Sequence, residues 1–334
     1  MDKTPAVSVI VPNYNHARFL PWRIDSVLQQ IYQNFELILL DDCSTDDSRS
    51  VLSRYGGDPR VRVEYNEANS GSPFRQWAKG VRMSRGKYIW IAESDDYADK
   101  HLLERLVAVL ERDEEIAFAY CRSWRVDENG NRTTFVDVDA PHDDPERWGA
   151  DYVADGREEC LKYFTYHNIV SNASSAVFRR AAWDAAGGVD ETMCTSGDWK
   201  LWAALAMTGK VAYLSEPLNY YRKHQQTVRS RANGARVINE ELQAVRWILG
   251  QVKPTRAVLI KAGSVAAGGW VPVIMSSHVP LQAKMSVLKS VLAIDPRPIR
   301  HGVGPAFSAV GRKFQRHWRD LRSFAGRQET SKAQ

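Results

Sequence analysis

Three short apolar runs near the start of this chain each give way abruptly to polar or acidic residues. Val7–Val11 leads into Asn13–Asn15, Glu36–Leu40 into Asp41 and Asp42, and Tyr88–Ile91 into Glu93, Asp95 and Asp96. Runs this short, with β-branched residues and apolar character on both faces, read as strands covered on both sides. Helical spacing fills the gaps, over Ala17–Gln30, over the stretch through Leu52 and Tyr55 that Ser44–Asp47 caps, and over Phe74–Met83. Val61–Tyr65 and Ile116–Tyr120 read as further strands, and Leu102–Leu110 as a helix. Repeated strand–helix–strand units predict an α/β fold with a mostly parallel central sheet and helices on both faces. In such sheets ligands bind beyond the carboxyl ends of the strands, where all three polar clusters fall. Crowded carboxylates at a strand end repel one another and resist desolvation. They become favourable when a hard divalent cation, bridged to phosphate oxygens, neutralises them.

After Val126 the pattern changes. Asn129-Gly130 between Ser123–Val126 and Arg132–Val136 predicts a hairpin, and residues 137–160, rich in Asp, Pro and Gly, read as a long loop. Ser174–Phe178 and Val211–Leu214 read as strands, and Asp198–Met207 as a helix with Trp199, Trp202 and Leu205 facing inward. A polar stretch near residue 230 separates this region from a helix at Val237–Leu249, so the expected organisation is a domain over 1–230 and a mainly helical extension over 231–334. The net charge of +5 conceals an asymmetry: from residue 251 onward there are 14 Lys and Arg against 3 Asp and Glu, and the first 250 residues hold 31 against 37. Opposite charge in two regions points to two jobs.

The four cysteines form no Cys-x-x-Cys pair, which argues against a disulfide framework or a zinc site and for a cytoplasmic setting. The N-terminal apolar run is too short for a signal peptide. The most apolar stretch, Val265–Met275, is broken by Gly268, Gly269 and Pro272, so no spanning helix is expected.

No Gly-x-Gly-x-x-Gly follows the first strand, and no Gly-x-x-x-x-Gly-Lys-Ser/Thr loop occurs anywhere. A nucleotide must then be held by acids and a metal rather than by a glycine-rich turn. Five segments in order carry a resemblance: Val7-Ser8-Val9-Ile10-Val11-Pro12-Asn13-Tyr14-Asn15, Glu36 through Asp46, Asn69-Ser70-Gly71, Arg85-Gly86-Lys87-Tyr88-Ile89 and Glu93-Ser94-Asp95-Asp96. Over roughly residues 6–225 the chain resembles the family-2 glycosyltransferases of GT-A fold, which transfer a sugar from a nucleotide donor to an acceptor hydroxyl with inversion.

The resemblance implies that Pro12 and Tyr14 line the base pocket and that Asp42 accepts hydrogen bonds from a uracil or thymine imide. Asp42 also reads as a turn or cap residue before Ser44. Asp95 would contact the ribose, and Asp96 would ligate Mg2+ or Mn2+ bridging the diphosphate. One of these acids also reads as an N-cap for the following helix. The family often has Asp at the first acid position, where this chain has Glu93, so no metal bond is implied for Glu93. Thr195-Ser196-Gly197-Asp198-Trp199 resembles the family's base motif, with Gly197 where Glu is frequent. Asp198, at a helix start, would be the general base, a role compatible with capping. Tyr220-Tyr221-Arg222-Lys223-His224 resembles the segment that closes such sites, with Arg222 near the diphosphate and His224 a metal ligand, or else merely exposed. Asn172-Ala173-Ser174-Ser175 resembles a segment facing the acceptor. Gln243-Ala244-Val245-Arg246-Trp247 matches a signature of processive synthases, but those enzymes carry spanning helices.

In the tail, Val310, Phe314, Trp318, Leu321 and Phe324 share one helical face, with Arg312, Lys313, Arg316, Arg319 and Arg322 around it. A basic amphipathic helix of this kind suits an anionic membrane surface, and it equally suits packing on the rest of the protein. The expected partners are a nucleotide-sugar donor, a glycan or lipid-linked acceptor and that membrane surface; no nucleic-acid motif appears. The expected location is the cytoplasm, peripheral on the inner face of the cytoplasmic membrane. The expected function is transfer of a sugar from a UDP- or dTDP-sugar during cell-surface polysaccharide assembly. A nucleotidyltransferase or a non-catalytic sugar-nucleotide scaffold are the alternatives.

Overall fold

A computed structural model describes residues 4–136, 146–170, 172–224, 234–277 and 279–294. The chain divides into two compact units, Met1–Ala232 and Asn233–Gln334. In the first, β1 (Val7–Asn13), α1 (Leu20–Leu28), β2 (Phe35–Asp41), α2 (Ser48–Ser53), β3 (Val61–Tyr65), α3 (Pro73–Met83) and β4 (Tyr88–Ile91) follow the expected alternation. Every residue of β1, β2 and β4 is buried, which is why these strands show no polar alternation in sequence. The four strands pair in parallel in the order β3-β2-β1-β4. One face packs on α1 and α4 (Leu102–Arg112) through Val9, Val11, Leu20, Ile24, Leu37, Leu39, Trp90, Leu103 and Leu106. Each fully buried side chain of this size contributes about 1.5–3 kcal/mol.

The whole sheet is mixed rather than mostly parallel. The strands that complete it are β5 (Tyr97–Ala98), β6 (Ile116–Val126), β7 (Arg132–Phe135), β8 (Tyr152–Asp155), β9 (Ala176–Arg179) and β10 (Lys210–Arg222). β9 inserts antiparallel between β4 and β6, β10 runs parallel to β6, and β5 and β8 lie antiparallel to β10. Hydrophobic pattern predicts strands but carries no sign of direction, so this reversal was not legible.

The hairpin at Asn129-Gly130 joins β6 to β7, with Gly130 at φ +84° and Trp22 so close that an added Cβ would lie 2.3 Å from its ring. The expected loop over 137–160 is partly a strand: within β8, Tyr152 and Ala154 are half-buried while Val153 and Asp155 are exposed. Asp155 then caps a short helix, α5 (Gly156–Glu159), by accepting from Glu158 N. Its turn-forming composition serves this cap. Residues 137–145 lie outside the described residues.

α6 (Arg180–Ala186) follows β9, and α7 (Gly197–Ala206) buries Trp199, Trp202 and Leu205 as its spacing predicts. All four cysteines are free thiols. The second unit holds α8 (Gly234–Gln251), α9 (Arg256–Met275) and α10 (Leu281–Ile294). No helix among the described residues is long and apolar enough to cross a membrane. The amphipathic segment expected over 310–324 lies outside the described residues.

Candidate active site

The register of the parallel strands sets the site. Asn13 pairs with Asp41, and Ile10 with Ile91, so β1, β2 and β4 deliver their polar ends to one edge. The turn before β9 and strand β10 extend that edge: Trp90 Nε1 donates to Ser174 O at 2.9 Å, and Tyr220 pairs with Tyr97. Asp41–Asp42, Glu93–Asp96, Asn172–Ser174 and Arg222–His224 thus converge from four separate stretches of chain.

At the β2 end, Asp42 is buried and nearly saturated. Its Oδ1 accepts from Asn66 Nδ2 at 2.6 Å, Ser70 N at 2.8 Å and Gln76 Nε2 at 2.9 Å, and its Oδ2 from Ser70 Oγ at 2.7 Å. A carboxylate offers about four lone-pair sites, so an imide contact has room only at Oδ2. Pro12 is buried and Tyr14 is 40% exposed beside it. Asn15 sits at φ +59°, held by its Oδ1 accepting from Thr45 N at 2.7 Å and its N donating to Ser44 Oγ at 2.9 Å.

The acids after β4 divide the work. Asp96, for which the resemblance implies a metal bond, is fully enclosed. Its Oδ1 accepts from Arg222 N at 2.8 Å, and its Oδ2 from Asn172 Nδ2 at 2.9 Å and Ser174 Oγ at 2.7 Å. Burial, then the Asp95 charge, push its carboxyl up to about 6, against the pull of Arg23. Asp95, its neighbour, turns the other way: Oδ2 lies 2.9 Å from His224 Nε2. Burial would raise the Asp95 carboxyl, but the His224 hydrogen bond and the nearby His16 and His224 bring it below the ordinary range. His16, Asp95 and His224 bring their ligand atoms within 4.8 Å of one another, a grouping able to hold a metal ion. Glu93 accepts from Trp77 Nε1 at 2.8 Å. Burial first, then Asp95 and Asp96, push it up to about 8.

Two arginines underlie the acids. Arg23, fully buried on α1, donates from Nε to Glu93 O at 2.8 Å and sets Nη2 3.9 Å from Asp96. Burial lowers it to about 10, the three acids opposing, so it stays charged at neutral pH. Neither Nη has a hydrogen-bond partner among the described residues. Arg222 is also fully buried. It donates to the carbonyls of Asp95 at 2.8 Å, Asp127 at 3.1 Å and Glu128 at 2.8 Å, and its guanidinium lies against Phe19, Trp22 and Tyr97. The expected diphosphate contact therefore falls to a side chain that already braces the loop carrying the acids.

Asp198, half-buried in the first turn of α7, accepts from Asn168 Nδ2 at 3.1 Å. Gly197 before it packs so tightly that a Cβ would sit 2.7 Å from the Phe74 ring, which explains glycine where glutamate is frequent. Ser72 Oγ donates to Met193 O at 2.7 Å, tying the loop that saturates Asp42 to the loop that leads into Asp198.

Sequence reasoning did not pick out His16 or Arg23. His16 lies in no motif. Arg23 carried a signal: it falls on the buried face of α1 between Leu20 and Ile24 and Val27, where a charge needs a partner.

A family profile described as Glycosyl transferase family 2 matches residues 8–182. The putative teichuronic acid biosynthesis glycosyltransferase TuaG of Bacillus subtilis (strain 168) is 39% identical over 102 residues, which are 30% of this chain and 40% of that protein. The chain spans less than half the length of the curated relatives it matches first. Among solved structures, S. aureus TarS 1-349 in complex with UDP-GlcNAc superposes with a TM-score of 0.63 at 17% identity, over 89% of this chain and 83% of that one. A mannosyltransferase from Pyrobaculum calidifontis in complex with GDP-Man and Mn2+ gives 0.51 at 15% identity, over 97% and 85%. These likenesses establish the fold.

Proposed function

The chain belongs to glycosyl transferase family 2 and is a glycosyltransferase of GT-A fold, and we propose that it transfers a sugar, with inversion, from a UDP- or dTDP-sugar to a hydroxyl of a glycan or lipid-linked acceptor in cell-surface polysaccharide assembly. The observation that carries this reading is the convergence of Asp95, Asp96 and His224 at one sheet edge, with Asp198 bonded to Asn168 and Asp96 to the nearby Asn172. The solved relative that holds UDP-GlcNAc and the curated relative named for teichuronic acid support the donor class and the glycan setting. The chemistry resides in residues 1–230, and 231–334 form a basic extension that carries the helices α8, α9 and α10; the protein works in the cytoplasm, peripheral to the inner face of the membrane.

Pro12 and Tyr14 line the base pocket, whose floor Asp42 shapes by fixing the loop over 66–72. Asp95 and His224 hold a divalent cation, Mg2+ or Mn2+, for which an ionised carboxylate beside an imidazole is a competent donor set. When bound, that cation neutralises the charge that develops on the departing nucleoside diphosphate. Asp96, locked by Arg222 N, Asn172 and Ser174, fixes the loop on which Asp95 is carried. Arg222 braces the same loop from below and adds positive potential. Asp198 accepts the proton from the acceptor hydroxyl as that oxygen attacks the anomeric carbon, a task that needs an ionised carboxylate within hydrogen-bond reach.

A thermal-shift screen of nucleoside diphosphate sugars with and without Mn2+, followed by a nucleoside-diphosphate release assay, tests the reading. A uridine or thymidine diphosphate sugar should raise the midpoint in a cation-dependent way and be turned over. Stabilisation by nucleoside triphosphates alone, with pyrophosphate released, would replace transfer of a sugar by transfer of a nucleotide.

A further inference from the structure

Beside Asp95 and His224 stands an imidazole that the donor-binding pattern does not account for. His16 follows the left-handed Asn15, whose carboxamide is pinned to the Ser44–Asp46 turn, so the ring is presented from a braced position. Its carbonyl opens the first turn of α1, accepting from Phe19 N at 2.8 Å and Leu20 N at 3.1 Å. Ser94 Oγ lies 2.8 Å from Nδ1 and fixes the plane of the ring. The His16 and His224 rings stand 5.4 Å apart at 81°, and both pack on Phe19. Thus the backbone, a hydroxyl and an aromatic ring all fix His16 where its ligand atom is within 4.8 Å of those of Asp95 and His224. The 2.9 Å between Asp95 Oδ2 and His224 Nε2 matches the edge of about 3 Å between adjacent ligands at metal distances of about 2.1 Å.

Resting on the metal-dependent transfer reading above, we infer that His16 is a third protein ligand of the cation and makes the centre selective for Mn2+-type ions over Mg2+. The reason is the donor set. Mg2+ prefers oxygen ligands and keeps its waters, whereas imidazole nitrogen suits the first-row transition ions. One carboxylate with one imidazole still tolerates Mg2+. A second imidazole shifts the balance to ions that bind nitrogen well.

The test is Mn2+ alone, and Mg2+ alone, titrated into the EDTA-treated, nucleotide-free full-length chain, with pulsed electron paramagnetic resonance of the Mn2+ form. Wild type should bind Mn2+ more than tenfold more tightly than Mg2+ and show nitrogen coupling from two imidazoles. His16→Asn should weaken Mn2+ by about tenfold or more, leave Mg2+ nearly unchanged and lose one nitrogen coupling. His16→Asp should recover divalent binding with a smaller Mn2+ preference. Wild-type spectra with a single imidazole overturn the assignment without any variant, as does a His16→Asn protein with undiminished Mn2+ affinity. If Mn2+ binding survives in His16→Asn but is lost in Asp95→Asn, His16 alone is misassigned. If wild type binds no Mn2+, or binds it regardless of Asp95, the metal-dependent reading falls with it.

Discussion

Asn172 donates to Asp96 at 2.9 Å, and this bond fastens the segment before β9 to the acid cluster. Four residues earlier Asn168 donates to Asp198, so the segment before β9 reaches both the acids after β4 and the start of α7. Asn219 Nδ2 adds a third strand to this junction, donating to Asn172 Oδ1 at 3.0 Å. The two carboxylates are thereby positioned by one stretch of backbone, and a change at Asp198 need not disturb Asp96.

Asp198→Asn separates the catalyst from a binding scaffold. An amide cannot take the acceptor proton, so turnover should fall about 10²–10⁴-fold. Affinity for the nucleoside diphosphate, read by calorimetry, should hold within about threefold. Turnover within tenfold of wild type would remove Asp198 from the base role.

Arg222→Lys distinguishes a brace from a diphosphate contact. The guanidinium serves three carbonyls and faces three aromatic rings, a geometry that a lysine ammonium cannot reproduce. Lost buried hydrogen bonds should cost about 2–4 kcal/mol, measured by urea unfolding. Unchanged stability with weakened nucleotide binding would mean that the side chain faces the donor.

Gly86→Ala probes the opposite end of the strands. Gly86 N donates to Ser8 Oγ at 2.8 Å, and Ser8 Oγ to Glu36 Oε1 at 2.6 Å, while Arg85 engages Glu36 through N and Nε. A methyl at Gly86 would fall 2.6 Å from Ser8 N and 2.7 Å from Val7 C. Overpacking there should cost about 1–3 kcal/mol of stability, with nucleotide affinity at low temperature unaltered. The Arg85-Gly86 motif is on this account a clamp on the sheet.

How much of this could be read from the chain differs by element. β1, β2 and β4 were legible because a parallel strand covered on both faces leaves an unbroken apolar run, and polar or acidic residues mark its end. The position of β9 was not, since its antiparallel insertion follows from packing between β4 and β6. Asp42 and Asp96 were legible as special residues, but the donors that fill them come from Asn66, Ser70, Gln76, Asn172 and Ser174, which only the fold brings near. His16 left no trace, because a single imidazole gains meaning only from what stands opposite it.

The acids after β4 also set a pH dependence whose sign is fixed. In the unfolded chain Glu93 and Asp96 titrate near the usual 4 to 4.5. In the folded, metal-free chain burial and mutual repulsion push them up to about 8 and about 6. Between the two values the folded form holds protons that the unfolded form has released, so stability falls as pH rises through this window. Asp95 acts in the opposite sense: its carboxyl is held below the ordinary carboxylate range, so its stabilising contribution is already complete above that range. From pH 6 to 8 Glu93 dominates this set. Glu93→Gln keeps an oxygen for Trp77 Nε1 and carries no charge, so it should flatten the decline over that range. Melting midpoints of both proteins in EDTA, from pH 5 to 9, measure the difference directly and cancel whatever the histidines contribute. Parallel curves for the two proteins would show that Glu93 titrates normally. A decline in wild type that Mn2+ removes and Glu93→Gln also removes would show that the cation relieves the repulsion stored at this strand end.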